Sequence, residues 1–172
     1  MESLFESIAL WLETSRLAWF MTEWAWSWRI FETLHFTGLC LLIGTVGLFD
    51  LRLMGFAKPV PLRAFHRLLP WGVLGYAINV VTGFSFFSAA PTRYMYNPAF
   101  QLKVLFMLIA GINVLIFYSV VHRKIDILKG ADDPPLAGRI VGGVSLFAWI
   151  GVIICGRMLT FYRPPFHWCP WC

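Results

Sequence analysis

The stretch IFETLHFTGLCLLIGTVGLF, residues 30–49, decides the fold of this 172-residue chain. The apolar core of a bilayer is roughly 30 Å thick and needs about 20 helical residues to cross it, which is the length of this run. Lipid offers no hydrogen-bond partners to an open backbone, so such a segment crosses the membrane as a helix. The stretch therefore predicts a transmembrane helix that carries Glu32 and His35 into the bilayer.

Three further apolar runs of similar length follow, at residues 71–90, 102–121 and 140–162. The composition agrees with them, because 59% of the residues are hydrophobic and only 13% are charged. The mean hydropathy of +0.69 is likewise far from that of a soluble domain. We predict an all-α fold, a four-transmembrane-helix bundle that forms one membrane domain over residues 1–172.

Residues 1–24 differ from the four runs because acidic residues interrupt their apolar positions. Those apolar positions recur at helical spacing: Leu4, Phe5, Ile8, Leu12, Trp19 and Phe20. This pattern predicts an N-terminal amphipathic helix that lies in the membrane interface. The segment has neither a basic start nor a small-residue cleavage site, so we do not interpret it as a cleaved signal peptide.

The Lys and Arg residues are unevenly divided between the two sides of the predicted membrane. Eight follow the first and third spans: Arg52, Lys58, Arg63, Arg67, Arg123, Lys124, Lys129 and Arg139. The other side holds Arg16, Arg29, Arg93 and Arg163, with Lys103 and Arg157 just inside spans. Cytoplasmic loops carry the excess, so we expect both termini outside the cytoplasm. Orientation also accounts for the net charge of +5, and we expect no nucleic acid partner.

Four ionisable side chains fall within the predicted spans on the side of the termini: Glu32, His35, Lys103 and Arg157. A charged group inside a bilayer is costly, so it usually faces the bundle interior and a partner. At a helical rise of roughly 1.5 Å per residue, His35 and Arg157 each lie about 8 Å inside their spans. We expect the four side chains to form one layer across three helices.

This layer has a structural and a functional interpretation. In the structural one, Glu32 pairs with Arg157 or Lys103 and stabilises the bundle. In the functional one, the layer binds a b-type haem, with His35 as axial ligand and the two cations near the propionates. A quinone head group, whose protons His35 and Glu32 would handle, also fits.

The number of histidines limits the haem interpretation. His35 is alone within the predicted spans, whereas many membrane b cytochromes use two histidines. A second iron ligand would have to be Met158, Met95 or His167; otherwise the iron stays five-coordinate.

The tail at residues 163–172 ends in FHWCPWC. His167, Cys169 and Cys172 offer three ligands, which suits Cu(I) better than a closed zinc site. The alternatives are a redox pair, an exposed disulfide, or docking of the two tryptophans at the membrane or on a partner. Copper binding would also draw on His35 and Met158.

Several polar and small residues predict packing within the bundle. Asn79 and Asn113, near the middle of the second and third spans, are expected to form hydrogen bonds between helices. Small residues at close helix contacts are expected at Gly72, Gly75, Gly138 and Gly142. Asp50 and Arg52 are expected to pair with each other or with loop partners.

Four segments carry a resemblance to known proteins: ETLHFTGLCLLIGTVGLFDLRLMG (32–55), RLLPWGVLGYAINVVTGFSFF (67–87), RYMYNPAFQLKVLFMLIAGIN (93–113) and IGVIICGRM (150–158). With ETLH, DLRL, LPW, NPAFxLK and GR in this order, the chain resembles an uncharacterised family of bacterial four-helix inner-membrane proteins. The resemblance implies a bacterial inner membrane, in which the orientation expected from the Lys and Arg count makes both termini periplasmic. Residues 30–55 are also similar to CopD-type copper-resistance proteins and HemJ-type protoporphyrinogen oxidases, which implies haem or copper chemistry at His35.

The sequence thus predicts a small membrane protein that binds haem b or transfers electrons through the layer around His35, with quinone as a possible partner. The alternative is a non-catalytic accessory or assembly subunit that packs on a larger membrane complex or on a second copy. A copper-handling membrane protein is the third interpretation.

Overall fold

The computed structural model describes residues 2–121 and 134–161. The predicted ligands His167, Cys169 and Cys172 and the tail at 163–172 lie outside the described residues. Within them, every regular element is a helix, which confirms the all-α fold. The elements are α1 (Glu2–Glu13), α2 (Arg16–Glu23), α3 (Ser27–Leu42), a π-helical turn (Ile43–Gly47), α4 (Leu48–Leu53), α5 (Leu62–His66), α6 (Leu69–Ala89), α7 (Pro91–Met95), α8 (Pro98–Ile116), a second π-helical turn (Phe117–Val121) and α9 (Leu136–Met158).

Among the described residues, four helical segments are long and apolar enough to cross a bilayer, which identifies a multi-pass membrane protein. They are span 1 (Ser27–Leu53), span 2 (Leu69–Ala89), span 3 (Pro98–Val120) and span 4 (Leu136–Met158). We call the end where spans 1 and 3 begin the outer end, after the predicted topology, and the opposite end the inner end.

Two span boundaries differ from the sequence prediction in ways that affect the site. Span 1 continues past the predicted end at residue 49 and includes Asp50 and Arg52, whose side chains are both buried. The Nε of Arg52 donates to the carbonyl of Val60 at 2.8 Å, so this cation has a loop partner. Span 4 ends at Met158 and not at residue 162, which moves Arg157 from inside the predicted span to the last turn of the helix.

Spans 1 and 2 approach each other closely through glycines. A Cβ at Gly75 would lie 2.6 Å from the carbonyl oxygen of Gly38, and a Cβ at Gly38 would lie 2.9 Å from that of Gly75. A Cβ at Gly72 would lie 2.6 Å from Oγ1 of Thr45. Small residues let membrane helices make backbone contact, so the predicted packing roles of Gly72 and Gly75 are confirmed.

Spans 3 and 4 pack along each other as a second antiparallel pair. The Nδ2 of Asn113 donates to the carbonyl of Val141 at 2.9 Å, which confirms the predicted hydrogen bond between helices. Asn79 was expected to do the same, but it donates to Gly75 of its own helix at 2.8 Å. A Cβ at Gly142 would lie 2.7 Å from the carbonyl of Asp50, so span 4 also touches the inner part of span 1.

The π-helical turn at Ile43–Gly47 divides span 1 into two packing units. One extra residue in a helical turn rotates the helix face by about 100°. The outer part of span 1 packs on span 2, whereas the inner part packs on span 4. The turn therefore lets one helix join both antiparallel pairs.

The N-terminal segment forms two helices where one was predicted. The break is stabilised by Ser15, whose Oγ accepts a hydrogen bond from the amide of Ala18 at 3.1 Å. Both helices contact the outer end of span 2. Their buried positions are Ala9, Leu12, Ala18 and Met21. Of the predicted apolar face, Leu4, Ile8 and Trp19 are exposed, a placement suited to lipid headgroups.

The glycine contact predicts a specific sensitivity to substitution. Gly75→Ala places a methyl group against backbone atoms of span 1, so we expect a loss of about 1–3 kcal/mol in stability, as in overpacked cores. Thermal unfolding of the detergent-solubilised protein measures the effect. Gly111→Ala is the matched control, because its Cβ would meet open space. Equal melting temperatures for the two variants would contradict the close contact.

Candidate functional site

His35 is held by a hydrogen bond to span 2. Its Nδ1 lies 2.7 Å from Oγ1 of Thr82. That hydroxyl donates its single proton to the carbonyl of Ile78, also at 2.7 Å, so it accepts from Nδ1–H. The assignment of hydrogens from this network leaves Nε2 unprotonated, with a free lone pair. Histidines that bind metals through Nε2 are oriented in the same way, by a hydrogen bond from Nδ1–H.

The imidazole of His35 is half-buried and lies against one side of span 2. Its Cε1 would be 3.7 Å from a Cβ at Gly83, which is ordinary contact distance. The ring of Phe86 meets the imidazole edge-on, with ring centres 5.8 Å apart, and Trp28 packs on Phe86 at 4.8 Å. The Thr82 bond and the Phe86 ring together fix the orientation of the ring.

Lys103 brings a positive charge to the same layer from the other helix pair. Its Nζ lies 3.8 Å from the position of a Cβ at Gly156, on span 4. It is close enough to His35 and to Cys155 to interact with both electrostatically. In the part of the chain that the structure describes, no acidic side chain forms an ion pair with Lys103. The layer therefore contains a cation without a counter-charge.

Glu32 and Arg157 lie outside this layer. Both are exposed, and within residues 2–121 and 134–161 neither forms the ion pair that the structural interpretation expects. The inward-facing line of span 1 runs through Phe31, His35 and Gly38, which leaves Glu32 on its exposed flank. Arg157 occupies the last turn of span 4, where its positive charge interacts favourably with the helix dipole. Of the four predicted side chains, His35 and Lys103 are the two that the structure places in one layer.

The predicted second ligands are not assembled around His35 by the described residues. Met158 is exposed at the end of span 4, and Met95 lies in α7 beyond the end of span 2. Across the described ranges, no group of three His, Cys, Asp or Glu residues could hold a metal ion. Among the described residues, His35 therefore remains the candidate ligand for a metal ion.

The layer lies outside the apolar core. One apolar cluster occupies the middle of the bundle, around Leu42 and Trp149, and another the inner end, around Phe49 and Phe117. The outer third instead buries polar side chains: Thr82, Ser85, Ser88 and Asn97. The two helix pairs are joined chiefly at their inner half. The outer half of the bundle therefore has fewer contacts between the two pairs than the inner half.

Sequence reasoning missed two residues that shape this outer end. Thr82 orients His35, and its presence at a similar depth in the neighbouring span was the available signal. Asn97 accepts from the amide of Ala99 at 2.9 Å and so caps span 3. Its Nδ2 also donates to the carbonyl of Leu159 at 3.4 Å, past the end of span 4. The Asn-Pro pair at the start of a predicted helix was the signal for this cap.

The Thr82 contact yields a test of the His35 tautomer. Thr82→Val keeps the shape of the side chain but removes the acceptor of Nδ1–H, so we expect the imidazole to lose its preference for the Nδ1–H form. Nitrogen NMR of histidine-labelled protein reports the protonation of each ring nitrogen. Ser85→Ala is the control, since that hydroxyl bonds only Val81 of its own helix. An unchanged His35 spectrum in Thr82→Val would contradict the assignment.

Most of the chain is similar to a known family of proteins. Residues 8–162 match a family of unknown function (DUF6644). Searches of curated proteins and of solved structures return no match. The matched range contains all four spans together with His35, Thr82 and Lys103. The match carries no activity, so a function must be argued from the geometry.

Proposed function

The chain belongs to this family of unknown function, and we propose that it is a small membrane haem-binding protein for electron transfer, with His35 as the axial ligand of a b-type haem. The observation that carries the proposal is the 2.7 Å hydrogen bond between Nδ1 of His35 and Oγ1 of Thr82, in which we assign Nδ1–H as the donor. This bond fixes the ring and leaves the lone pair of Nε2 available for iron.

The same tautomer favours haem over an oxidised quinone. A quinone presents two carbonyl oxygens and needs hydrogen-bond donors. The Nε2 of His35 has no proton to donate, because Nδ1 carries it. Lys103 would then be the donor for the head group, without help from the imidazole. Iron, in contrast, requires the lone pair that His35 offers.

The charge of Lys103 also supports a haem. Haem propionates are anionic, and the described neighbours of Lys103 leave its charge uncompensated. His35 and Lys103 each stand beside a glycine, Gly83 and Gly156 respectively, so those positions place no side chain in the space next to the two groups. An anionic group that can approach both glycines fits these two features.

Among the described residues, His35 would hold the haem iron, and without a further ligand that iron would be five-coordinate and high-spin. When bound, the haem would supply the one-electron chemistry. The role of this chain is to bind and orient it through His35, Thr82 and Lys103. The likeness of residues 30–55 to CopD-type and HemJ-type proteins agrees with haem or copper chemistry at His35.

Two other functions can be distinguished from haem binding by measurements on the same purified protein. A copper-handling protein would use His35 and Met158 with His167, Cys169 and Cys172. An accessory subunit would bind no cofactor and would pack its apolar spans against a larger membrane complex. Orientation in a bacterial inner membrane, with both termini periplasmic, belongs to the proposal as well and places the site near the outer leaflet.

An absorption spectrum of protein purified in mild detergent tests the haem. We expect a Soret band of high-spin character that is lost in His35→Ala and retained in Cys169→Ala. Thr82→Val should weaken haem binding by roughly 10- to 100-fold, as loss of an orienting partner does at metal sites, while Ser85→Ala binds haem normally. Metal analysis completes the test. Copper without a Soret band would favour copper handling, and a stoichiometric protein partner without either would favour the accessory role.

The charge of Lys103 predicts a shift in the reduction potential. Lys103→Met removes a cation near the haem and so stabilises the ferric form, which carries one more positive charge. We expect the potential to fall by tens of millivolts, where about 59 mV corresponds to a tenfold change for one electron. Spectroelectrochemical titration measures it, and Lys103→Arg should restore most of the shift. A potential that rises or stays constant would place Lys103 away from the haem.

A further inference from the structure

A second feature lies in the inner half of the bundle, away from the His35 layer. It is a cavity of about 300 Å³ with walls from all four spans. Ligand pockets begin at roughly this volume. Its polar side chains include Asp50, Tyr76, Asn113 and Ser145, and most of the remaining lining is apolar or aromatic.

The cavity opens toward the bilayer between spans 2 and 3. Val73 on span 2 is 67% exposed, and Gly111, Val114 and Tyr118 on span 3 are exposed as well. All four residues line the cavity. Spans 2 and 3 pack chiefly on other helices and not on each other. A ligand can therefore enter from the lipid, and such a ligand needs an apolar body.

Asp50 gives the cavity an unsatisfied acceptor. The residue is 4% exposed and lines the cavity together with Ser145. Its Oδ2 is buried and has no hydrogen-bond partner within the described residues. Buried polar groups in native proteins nearly always have a partner, so a missing one calls for a ligand or an ion. Within a membrane, an unpaired carboxylate is especially costly.

The described neighbours supply no cation for this carboxylate. Arg52 lies two residues further along the helix, and its guanidinium donates to the carbonyls of Val60 and Lys58 at 2.8 and 3.3 Å. The described lining of the cavity contains no Lys, Arg or His. Of the two arrangements expected for Asp50 and Arg52, Arg52 thus shows the loop partner. A positive charge for Asp50 can come from a ligand.

Aromatic rings surround the same space. Tyr76 and Trp149 meet edge to face with ring centres 6.2 Å apart, and Phe49 and Phe117 do so at 5.3 Å. All four rings line the cavity. Aromatic faces attract cations, most strongly where water is excluded. The rings and the carboxylate thus favour the same kind of ligand.

We propose that this cavity binds a lipophilic amine, a molecule with an apolar ring or chain and an ammonium head that pairs with Asp50. Entry from the bilayer explains the apolar body, and the buried, unpartnered Oδ2 of Asp50 at the cavity wall explains the donor. A neutral hydroquinone could also donate to Oδ2, whereas an ammonium head would in addition stabilise the ionised form of Asp50, which burial alone disfavours. The proposal is independent of the haem, since Asp50 lies 15 residues from His35 along span 1, which is roughly 22 Å of helix length.

The test compares two probes that differ only at the head, 4-phenylbutylamine and 4-phenylbutanol. Binding to the full chain in lipid nanodiscs is measured by equilibrium dialysis, and the signal from empty nanodiscs is subtracted. We expect the amine to bind at least about tenfold more tightly, because hydrogen bonds between charged groups are the stronger ones. Asp50→Asn should reduce amine binding to that of the alcohol.

Two further variants support the test. Glu13→Gln removes an exposed carboxylate from α1 and should leave the preference for the amine unchanged. Gly111→Leu places a side chain in open space at the mouth of the cavity and should weaken both probes while Asp50 remains. This variant keeps the proposal testable if Asp50→Asn fails to fold.

Three results would overturn the proposal: equal binding of the two probes, full amine binding by Asp50→Asn, or equally tight binding of a neutral hydroquinone. The absorption spectrum separates this proposal from the haem. Asp50→Asn should retain the Soret band, and a chain without haem should still bind the amine.

Discussion

The backbone contact between Gly38 and Gly75 is the constraint on which the outer half of the bundle depends. Lipid tails are as apolar as the helices, so spans 1 and 2 gain little from hydrophobic burial against each other and depend on close packing. Methyl groups at these two glycines would overlap the opposite backbone. The crossing fixes the distance and the rotation of the two helices. It thereby brings His35, one turn beyond Gly38, within hydrogen-bond distance of Thr82.

The π-helical turn extends this arrangement to the whole bundle. Without the rotation at Ile43–Gly47, the same face of span 1 would pack on span 2 along the whole length of the span. With it, the inner part of span 1 turns to span 4, where Gly142 receives the backbone of Asp50. The bundle is consequently two antiparallel pairs that are joined at the inner half. The polar outer layer and the inner cavity both follow from this uneven joining.

The two candidate sites differ in the chemistry that they offer. The outer layer presents His35 and the cation Lys103, and the proposed haem rests on these two side chains. The inner cavity presents an unsatisfied carboxylate among aromatic rings, so it suits a cation with an apolar body. Opposite charge requirements at opposite depths make one ligand for both sites implausible on electrostatic grounds. The molecule therefore has room for two separate functions.

The sequence by itself determined the four spans and the all-α fold, because a backbone in lipid must satisfy its hydrogen bonds within its own segment. Length and apolarity of a run are local properties. The residue types within the runs are local as well, and they indicated the packing roles of Gly75 and Asn113. Only the tertiary structure decided which polar side chains meet. His35 and Lys103 converge while Glu32 and Arg157 do not, and Thr82 and the open side of Asp50 were not foreseen. Those outcomes depend on the rotation of each helix about its axis and on where it ends, and both are set by contacts with segments that are distant in the chain.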